Sequence, residues 1–274
     1  MVDIKKLEEI TKELKIDVLK AVYKAKSGHI GGCYSAAEIV TALYFHILNV
    51  KPEDPKWPGR DRFVLSKGHS CPIVYAALAR RGFFPLSDLD RLRMYDSHLQ
   101  GAPNPKTPGI DMSSGPLGQG LSAAVGMALN ARIDNSDYKV WCMMGDGEIQ
   151  EGQIWEAAMT AAKYKLNNLV CIIDHNKVQM SGTNDELLPL LDIEKKFDAF
   201  GFRTVKLENG NDMTSVISVL DSIFVPDDPR PIAIIAETTK GNGVSFMEGK
   251  FKWHGAVPSL EEYEIAMKEL GGAV

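Results

Sequence analysis

The chain has 274 residues, enough to bury a substantial core, and its apolar (45%) and charged (24%) contents are ordinary for a soluble globular protein. The net charge is −5 and no cluster of Lys and Arg forms a basic face, so nucleic acid and anionic membrane are poor candidate partners. No apolar run is long enough to span a bilayer, and the charged N-terminal stretch is unlike a secretory signal. Four cysteines without a CxxC pair predict buried, reduced thiols in a cytoplasmic protein: Cys33, Cys71, Cys142 and Cys171.

The first third of the chain is predicted to be mainly helical. Residues 3–25 place apolar side chains at intervals of three and four, and SAAE at 35–38 predicts a capping box that opens a second helix to about Leu48. Three prolines and a glycine in KPEDPKWPGRD then interrupt the pattern. After this break, RFVLS (62–66) predicts a short strand, and CPIVYAALARRG predicts a helix closed by Gly82.

From residue 138 the chain alternates between strand and helix patterns. Buried strands are predicted at 139–144, 169–174, 203–207 and 232–237, with helices at 152–165, 192–200 and 212–224. Repetition at intervals of about 30 residues is typical of right-handed βαβ units. We therefore predict one α/β domain over residues 1–274, built on a parallel sheet with helices on both faces.

Polar segments directly follow four of the predicted strands. They are SKGHS (66–70), GDGE (145–148), DHN (174–176) and ETTKGNG (237–243). Ligands of open parallel sheets bind at the carboxyl ends of the strands. These segments are therefore expected to converge on one edge of the sheet and form a binding site there.

The GDG triplet at 145–147 predicts a cation site better than a dinucleotide site. A dinucleotide fingerprint needs a third glycine where this chain has Gln150, and the Asp146 carboxylate would repel a pyrophosphate. A Mg²⁺ ion between carboxylate and phosphate removes that conflict. Asn176, one βα unit later, and the backbone carbonyl near Val178 are the expected further oxygen ligands.

Several ordered blocks resemble the transketolase family. GDG followed about thirty residues later by Asn is the thiamin diphosphate motif, and IIDHNKVQMSG is similar to the segment that ends it. The blocks KAKSGHIGG (24–32), RDRFVLSKGHS (60–70), SSGPLGQGLSAAVGMALN (113–130) and GDGEIQEGQIWEA (145–157) resemble transketolase specifically. The resemblance extends from about residue 10 to about residue 255. It implies the thiamin diphosphate-binding fold, specifically its diphosphate-binding domain.

The resemblance implies roles for residues around the diphosphate of thiamin diphosphate. A Mg²⁺ ion, or Ca²⁺ in its place, would be held by Asp146, Asn176 and the carbonyl of Val178. Gly147 would let the backbone approach the diphosphate, which His69 and His254 would contact.

It also implies roles around the rings of the cofactor and the substrate. His29 is similar to the histidine that binds a substrate hydroxyl and moves protons, and His254 would share this acid–base work. Glu151 resembles the carboxylate of a proton network across a subunit interface. The cofactor rings would be contacted by Gly115, Leu117 and Met180.

Other histidines have less specific interpretations. His46 lies in an apolar helix and is expected to be structural, and His175 is expected to point to the opposite face of its strand. The family pattern has a histidine in a GHP triplet that contacts the donor ketose, but this chain has Ala102 there. Our hypothesis at this point is that His98, four residues earlier, replaces the missing histidine.

The resemblance implies a partner chain. Full transketolases continue into a pyrimidine-binding domain and a C-terminal domain, and the pyrimidine domain carries the glutamate that activates the cofactor. This chain is therefore expected to be the diphosphate-binding subunit of a split enzyme, inactive alone, in an assembly of two such chains with two partner chains.

The expected function is transfer of a two-carbon ketol unit from a ketose, or its phosphate, to an aldose acceptor. Three alternatives remain. One is a different thiamin enzyme, related to deoxyxylulose phosphate synthase or to the 2-oxo acid dehydrogenases. Another is a subunit that binds thiamin diphosphate without catalysis. The third is the same chemistry on a modified or non-phosphorylated ketose, which Ala102 keeps open.

Overall fold

Five parallel strands form the centre of the computed structural model, which describes residues 2–273. In chain order the strands are β1 (Arg62–Leu65), β2 (Val140–Gly145), β3 (Leu169–His175), β4 (Arg203–Leu207) and β5 (Ile232–Glu237). Their order across the sheet is β1-β2-β3-β5-β4. The register pairs Gly145 with Asp174 and His175 with Glu237, so these strand ends are level. All five predicted strands are confirmed, each within one residue of its expected bounds.

Helices cover both faces of the sheet, as predicted. They are α1 (Ile4–Ala25), α2 (Ile30–Ser35), α3 (Ala37–Ala42), α4 (Cys71–Arg81), α5 (Gln119–Ile133), α6 (Gly152–Lys163), α7 (Asn184–Leu187), α8 (Ile193–Ala199), α9 (Met213–Asp221) and α10 (Leu260–Glu269). Trp141 and Val170 face a core formed with α1 to α4, α9 and α10. Cys142 and Cys171 face a second core formed with α5, α6 and α8. Alternation along each buried strand thus supplies two apolar faces, and each face is covered by helices.

The second helical region differs from the prediction. Helix begins at Ile30 rather than after Ser35, breaks at Ala36, and ends in a π-helical turn at Leu43–Ile47. Ser35 does not form the predicted capping box, because its hydroxyl donates instead to the carboxylate of Asp174 (2.6 Å). A hydrogen bond to a buried charged group is stronger than a cap bond to a neutral amide, which explains why Ser35 does not cap a helix.

Several features of the chain agree with expectation. The helix α4 ends at Gly82, whose φ of 91° is in the left-handed region that favours glycine. All four cysteines are free thiols and buried. Within residues 2–273 there is no helix of sufficient length and apolar character to cross a membrane. The ends of β1, β2, β3 and β5 lie side by side, which brings their four polar segments together.

Candidate active site

A cleft of about 370 Å³ opens at the carboxyl ends of the strands. All eleven residues predicted for the site line it: His29, His69, Gly115, Leu117, Asp146, Gly147, Glu151, Asn176, Val178, Met180 and His254. Clefts of about 380 and 410 Å³ open elsewhere on the surface, so size does not distinguish this one. Its distinction is the convergence of three carboxylates, three side-chain amides, two lysines and three histidines from distant parts of the sequence.

Asp146 is a buried carboxylate with no ion-pair partner in the described residues. Its side chain lies just beyond β2 and is 3% exposed. Three donors orient the carboxylate, namely the backbone N–H groups of Lys177 (2.5 Å) and Gly147 (2.8 Å) and the amide of Asn184 (2.9 Å). Burial, with the charge of Asp174 nearby, raises the pKa of Asp146. Within residues 2–273 no Lys, Arg or His forms an ion pair with it, so a bound cation would stabilise the ionised form.

Asn176 and Val178 contribute two further oxygens to the lining of the same cleft. The Asn176 amide nitrogen donates to Asp174 (3.1 Å). Because an ionised carboxylate can only accept, this contact identifies the Nδ2 atom of Asn176 and therefore also its Oδ1 atom. The carbonyl of Val178 accepts from the Lys240 ammonium (2.6 Å), so it already binds a cationic group. One carboxylate, one amide and one carbonyl oxygen are the ligands that Mg²⁺ prefers, with phosphate oxygens completing the set. The part of the chain that is described contains no cluster of three or more His, Cys, Asp or Glu suited to a metal.

Asp174 is a buried carboxylate that holds together several side chains around the cleft. It is fully buried and accepts hydrogen bonds from Ser35, Lys67, Asn176 and Thr238. Burial opposes its ionisation, but the Lys67 ammonium and the hydroxyl donors outweigh that effect and hold the pKa of Asp174 below its usual range. Lys67 is also almost fully buried and donates to the carbonyl of Gly32 (2.8 Å). The Lys67–Asp174 pair therefore joins the segment after β1 to the end of β3.

Three histidines form a tight group on one wall of the cleft. The ring centroids of His29, His69 and His254 lie 4.9 to 5.4 Å apart. Burial lowers the pKa of His69 to about 2, helped by Lys67, and lowers that of His254 to about 3, helped by Lys240. Burial also lowers the pKa of His29, together with the charges of Arg93 and Lys240. All three rings are therefore neutral at physiological pH and able both to donate and to accept a hydrogen bond.

Lys240 fixes the tautomer of His254. Lys240 is 3% exposed, and its ammonium lies 3.2 Å from Nδ1 of His254. An ammonium has no lone pair, so Nδ1 must accept and the ring proton must reside on Nε2. Burial lowers the pKa of Lys240 to about 8, although the carboxylates of Asp146 and Asp174 act against this.

The loop at 115–120 forms the opposite wall and is anchored by a buried glutamate. Glu148 accepts from the backbone N–H groups of Gly118 (2.9 Å) and Gly145 (3.0 Å) and from the hydroxyl of Ser66. Gly118 has a φ of 84°, and a Cβ there would lie 2.9 Å from Cβ of Glu151, so glycine is required. This anchoring positions the apolar side chain of Leu117, which is 40% exposed, at the mouth of the cleft.

Glu151 and Met180 are exposed at the rim. Glu151 precedes α6 and makes no side-chain hydrogen bond or ion pair within residues 2–273, while Met180 is 65% exposed.

Histidines outside the cleft have other contacts. Nε2 of His98 lies 3.1 Å from Asp88, and its ring packs edge-on against Phe84, outside the residues that line the cleft. The structure therefore argues against the hypothesis that His98 replaces the histidine missing at Ala102, because the His98 side chain is directed to Asp88. As expected, His175 points away from the cleft, to Glu237 (2.8 Å), and His46 pairs with Asp221 at the surface (2.7 Å).

Sequence reasoning missed five residues of the site. Four of them lie in the polar segments that follow the strands: Lys67, Glu148, Asp174 and Lys240. The fifth, Arg93, lies in an irregular segment with no recognisable motif, and only the fold brings it to His29.

Comparisons with known proteins agree with this geometry. The family model described as "Transketolase, thiamine diphosphate binding domain" matches residues 6–272. The chain is 46% identical to an apulose-4-phosphate transketolase subunit of Phocaeicola vulgatus, over 92% of this chain and 89% of that protein. It is 41% identical to the 6-deoxy-6-sulfo-D-fructose transketolase subunit of a Clostridium species, over 92% and 91% of the two chains.

Longer transketolases match over part of their length. Human transketolase is 42% identical over 91% of this chain but only 39% of its own length. The crystal structure of Campylobacter jejuni transketolase superposes with a TM-score of 0.93 at 33% identity, covering 99% of this chain and 43% of that one. The chain belongs to the transketolase family and corresponds to the N-terminal, thiamin diphosphate-binding chain of split transketolases.

Proposed function

We propose that the chain is the N-terminal subunit of a split transketolase that moves a two-carbon ketol unit from a ketose, or its phosphate, to an aldose acceptor. The convergence of the eleven predicted residues on one cleft, in a chain of this family, is the observation that carries the proposal. The relatives named as transketolase subunits favour this activity over a deoxyxylulose phosphate synthase, a 2-oxo acid decarboxylating enzyme or a non-catalytic binding protein.

The proposed cofactors are thiamin diphosphate and Mg²⁺, with Ca²⁺ as an acceptable substitute. When bound, thiamin diphosphate supplies the carbanion chemistry that breaks and forms the C–C bond. Asp146, Asn176 and the Val178 carbonyl would hold the metal, and Gly147 leaves room for the backbone to approach the diphosphate. A buried carboxylate with a raised pKa and a carbonyl already bound to an ammonium support this assignment.

We assign the histidines to hydrogen bonding and proton transfer. His254 presents its Nε2 proton because Lys240 occupies Nδ1, so it can donate to an oxygen of the cofactor or the sugar. His69 is held neutral beside it and would contact the diphosphate side. His29 would bind a substrate hydroxyl and move its proton. The apolar side chains of Leu117 and Met180, with Gly115, would support the cofactor rings.

The partner in this proposal is a chain that carries the transketolase pyrimidine domain. The relatives named as subunits are matched over about nine-tenths of their length and human transketolase over 39%, which supports a second chain supplying the remainder. Exposure of Glu151 at the rim supports its role in a proton network across the interface. We propose an assembly of two such chains with two partners, located in the cytoplasm, where the four free thiols would stay reduced.

The proposed donor is a modified ketose, such as a sulfonated or otherwise altered sugar. Ala102 lies against the loop at Gly115, 3.4 Å from where a Cβ of that glycine would be, and it offers no hydrogen bond to a donor hydroxyl. Two relatives above 40% identity are named for apulose 4-phosphate and 6-deoxy-6-sulfo-D-fructose. Loss of a polar contact next to the cofactor loop would relax the requirement for an ordinary ketose.

Product analysis on the complex with the partner tests the proposal. The complex is given thiamin diphosphate and Mg²⁺ with an aldose phosphate acceptor and a panel of ordinary and modified ketoses, or in parallel with 2-oxo acids, and the products are identified by mass. We expect an acceptor longer by two carbons and a donor shorter by two, with no product from Asp146→Asn. Release of CO₂ from 2-oxo acids without ketol transfer would show that the chemistry is different.

A further inference from the structure

Arg93 has an unusual backbone conformation beside the cleft. It follows a 3₁₀ turn at Leu86–Arg91, and its φ of 61° is in the left-handed region, which costs a non-glycine residue about 1 kcal/mol. Its N–H donates to the carbonyl of Leu99 (2.7 Å), which holds the loop closed around it. Strained residues of this kind concentrate at functional sites.

The side chain of Arg93 is directed at His29. Nη1 donates to the hydroxyl of Ser27 (2.5 Å), and Nη2 lies 3.4 Å from Nδ1 of His29. Gly101 packs against the guanidinium, where an added Cβ would lie 3.1 Å from Nε. Nε is buried without a partner, and no carboxylate pairs with Arg93 in the described residues. The guanidinium is therefore not part of a structural ion pair, and its specific polar contacts are with Ser27 and His29.

The chemistry of this contact determines the state of His29. A guanidinium has five N–H donors and no acceptor, so Nδ1 of His29 must accept with its lone pair. The ring proton is then on Nε2. Lys240 has the same relation to Nδ1 of His254, so two histidines of one cleft are each fixed by a neighbouring cation.

We propose that Arg93 is a positioning residue that fixes His29 as a neutral imidazole with its proton on Nε2, so that His29 meets the sugar as a hydrogen-bond donor. The role toward the sugar rests on the proposed function, whereas the tautomer rests on this chain alone. The ionisable groups that face His29 are Arg93, His69, His254 and Lys240. None of these four groups is a carboxylate, so none of them stabilises the positively charged form of His29.

Long-range ¹H–¹⁵N NMR of the full chain tests the inference. The His29 signals are assigned by comparison with His29→Gln, and the matched control is Arg91→Met, which removes an equal charge two residues away from an exposed pair with Asp96. We expect the unaltered chain and Arg91→Met to carry the His29 proton on Nε2. In Arg93→Met we expect a mixture of tautomers and a higher pKa for His29, since the neighbouring positive charge is gone.

Two results would overturn the inference. One is a His29 proton on Nδ1 in the unaltered chain, which decides the matter even if Arg93→Met fails to fold. The other is an Arg93→Met spectrum identical to that of Arg91→Met. In the complex with the partner, Arg93→Met should lower kcat/KM by roughly tenfold to a hundredfold and shift the acid limb of the pH profile upward. A complex without any ketol transfer would refute the proposed function but leave the tautomer result standing.

Discussion

The buried Lys67–Asp174 pair gives the sharpest prediction about stability. Replacing Lys67 by Met leaves the fully buried carboxylate of Asp174 without an ion-pair partner in the described residues. Ser35, Thr238 and Asn176 still donate to it, but none of these groups is charged. The variant Asp174→Asn has the converse effect, because it leaves the buried ammonium of Lys67 without its ion-pair partner.

Breaking such a pair from one side costs about 3–5 kcal/mol. For a chain of this size, that loss corresponds to a fall in Tm of roughly 6–20 °C. Lys67→Met with Asp174→Asn replaces both charges, so the double variant should cost less than the two single variants added together. The two effects are coupled because each buried charge lowers the free energy of unfolding only when the other charge is absent.

The pair also has a defined pH dependence. The pKa of Asp174 in the folded chain is lowered from 3.8, so its contribution to stability is present above pH 3.8 and lost as the pH falls through the lowered value. Lys67→Met removes the main cause of that lowering. The free energy of unfolding of Lys67→Met should therefore come closer to that of the unaltered chain in acid.

Urea unfolding of the four chains at neutral and acid pH measures these effects. The midpoint and slope are compared for the unaltered chain, both single variants and the double variant. A loss below about 1 kcal/mol in Lys67→Met, or a double variant whose loss equals the sum of the singles, would show that the two charges are not coupled in this way. Lys163→Met, on the exposed end of α6, is the matched control and should lie within about 0.5 kcal/mol of the unaltered chain.

Three further predictions concern the cleft. Asp146→Asn should abolish Mg²⁺-dependent binding of thiamin diphosphate measured by calorimetry on the complex, whereas Asp185→Asn, on the exposed start of α7, should bind as before. Folding lowers the pKa values of His69 and His254 from 6.5 to about 2 and 3, so below pH 6.5 the unfolded chain binds more protons than the folded chain and the free energy of unfolding should fall with pH. In chemical unfolding, His69→Gln should reduce the slope of that fall by about 1 kcal/mol per pH unit. An unchanged slope would count against a neutral His69. Ala102→His should lower the KM for ordinary ketose phosphates relative to modified ketoses, while His98→Ala should leave both KM values unchanged. A raised donor KM in His98→Ala would indicate that His98 contacts the donor sugar, which its contact with Asp88 argues against.

The strands were predictable because burial on both faces leaves a continuous apolar run. The runs at 139–144 and 169–174 became β2 and β3 within one residue, and polar segments after the strands converged as the parallel arrangement requires. The order β1-β2-β3-β5-β4 was not predictable, since it depends on packing between elements distant in sequence.

The second helical region shows where local signals fail. SAAE satisfies the capping pattern, but Ser35 is drawn to Asp174, which lies 139 residues away. Glu38, the other half of the expected box, pairs with Lys15 instead (2.8 Å). Tertiary contacts with buried charges are stronger than a surface cap and override it.

The lysines and Arg93 show a second limit of sequence reasoning. Lysine is almost always exposed, so nothing in SKGHS or ETTKGNG indicates that Lys67 and Lys240 would be 1% and 3% exposed. They become recognisable only once the strand ends meet and their ammonium groups face Asp174 and Val178. Arg93 reaches His29 through an irregular loop, for which no periodicity exists.

The proposed ketol-transferring site is complete only when this chain is joined by a partner. This dependence is tested by titrating the purified chain, at fixed concentration with thiamin diphosphate and Mg²⁺, with a chain that carries the transketolase pyrimidine domain, while the rate of two-carbon transfer is measured. We expect no turnover without the partner, a rate that rises to a plateau at one partner per chain, and no rise for Asp146→Asn. Full turnover by this chain alone would show that the site needs no second polypeptide.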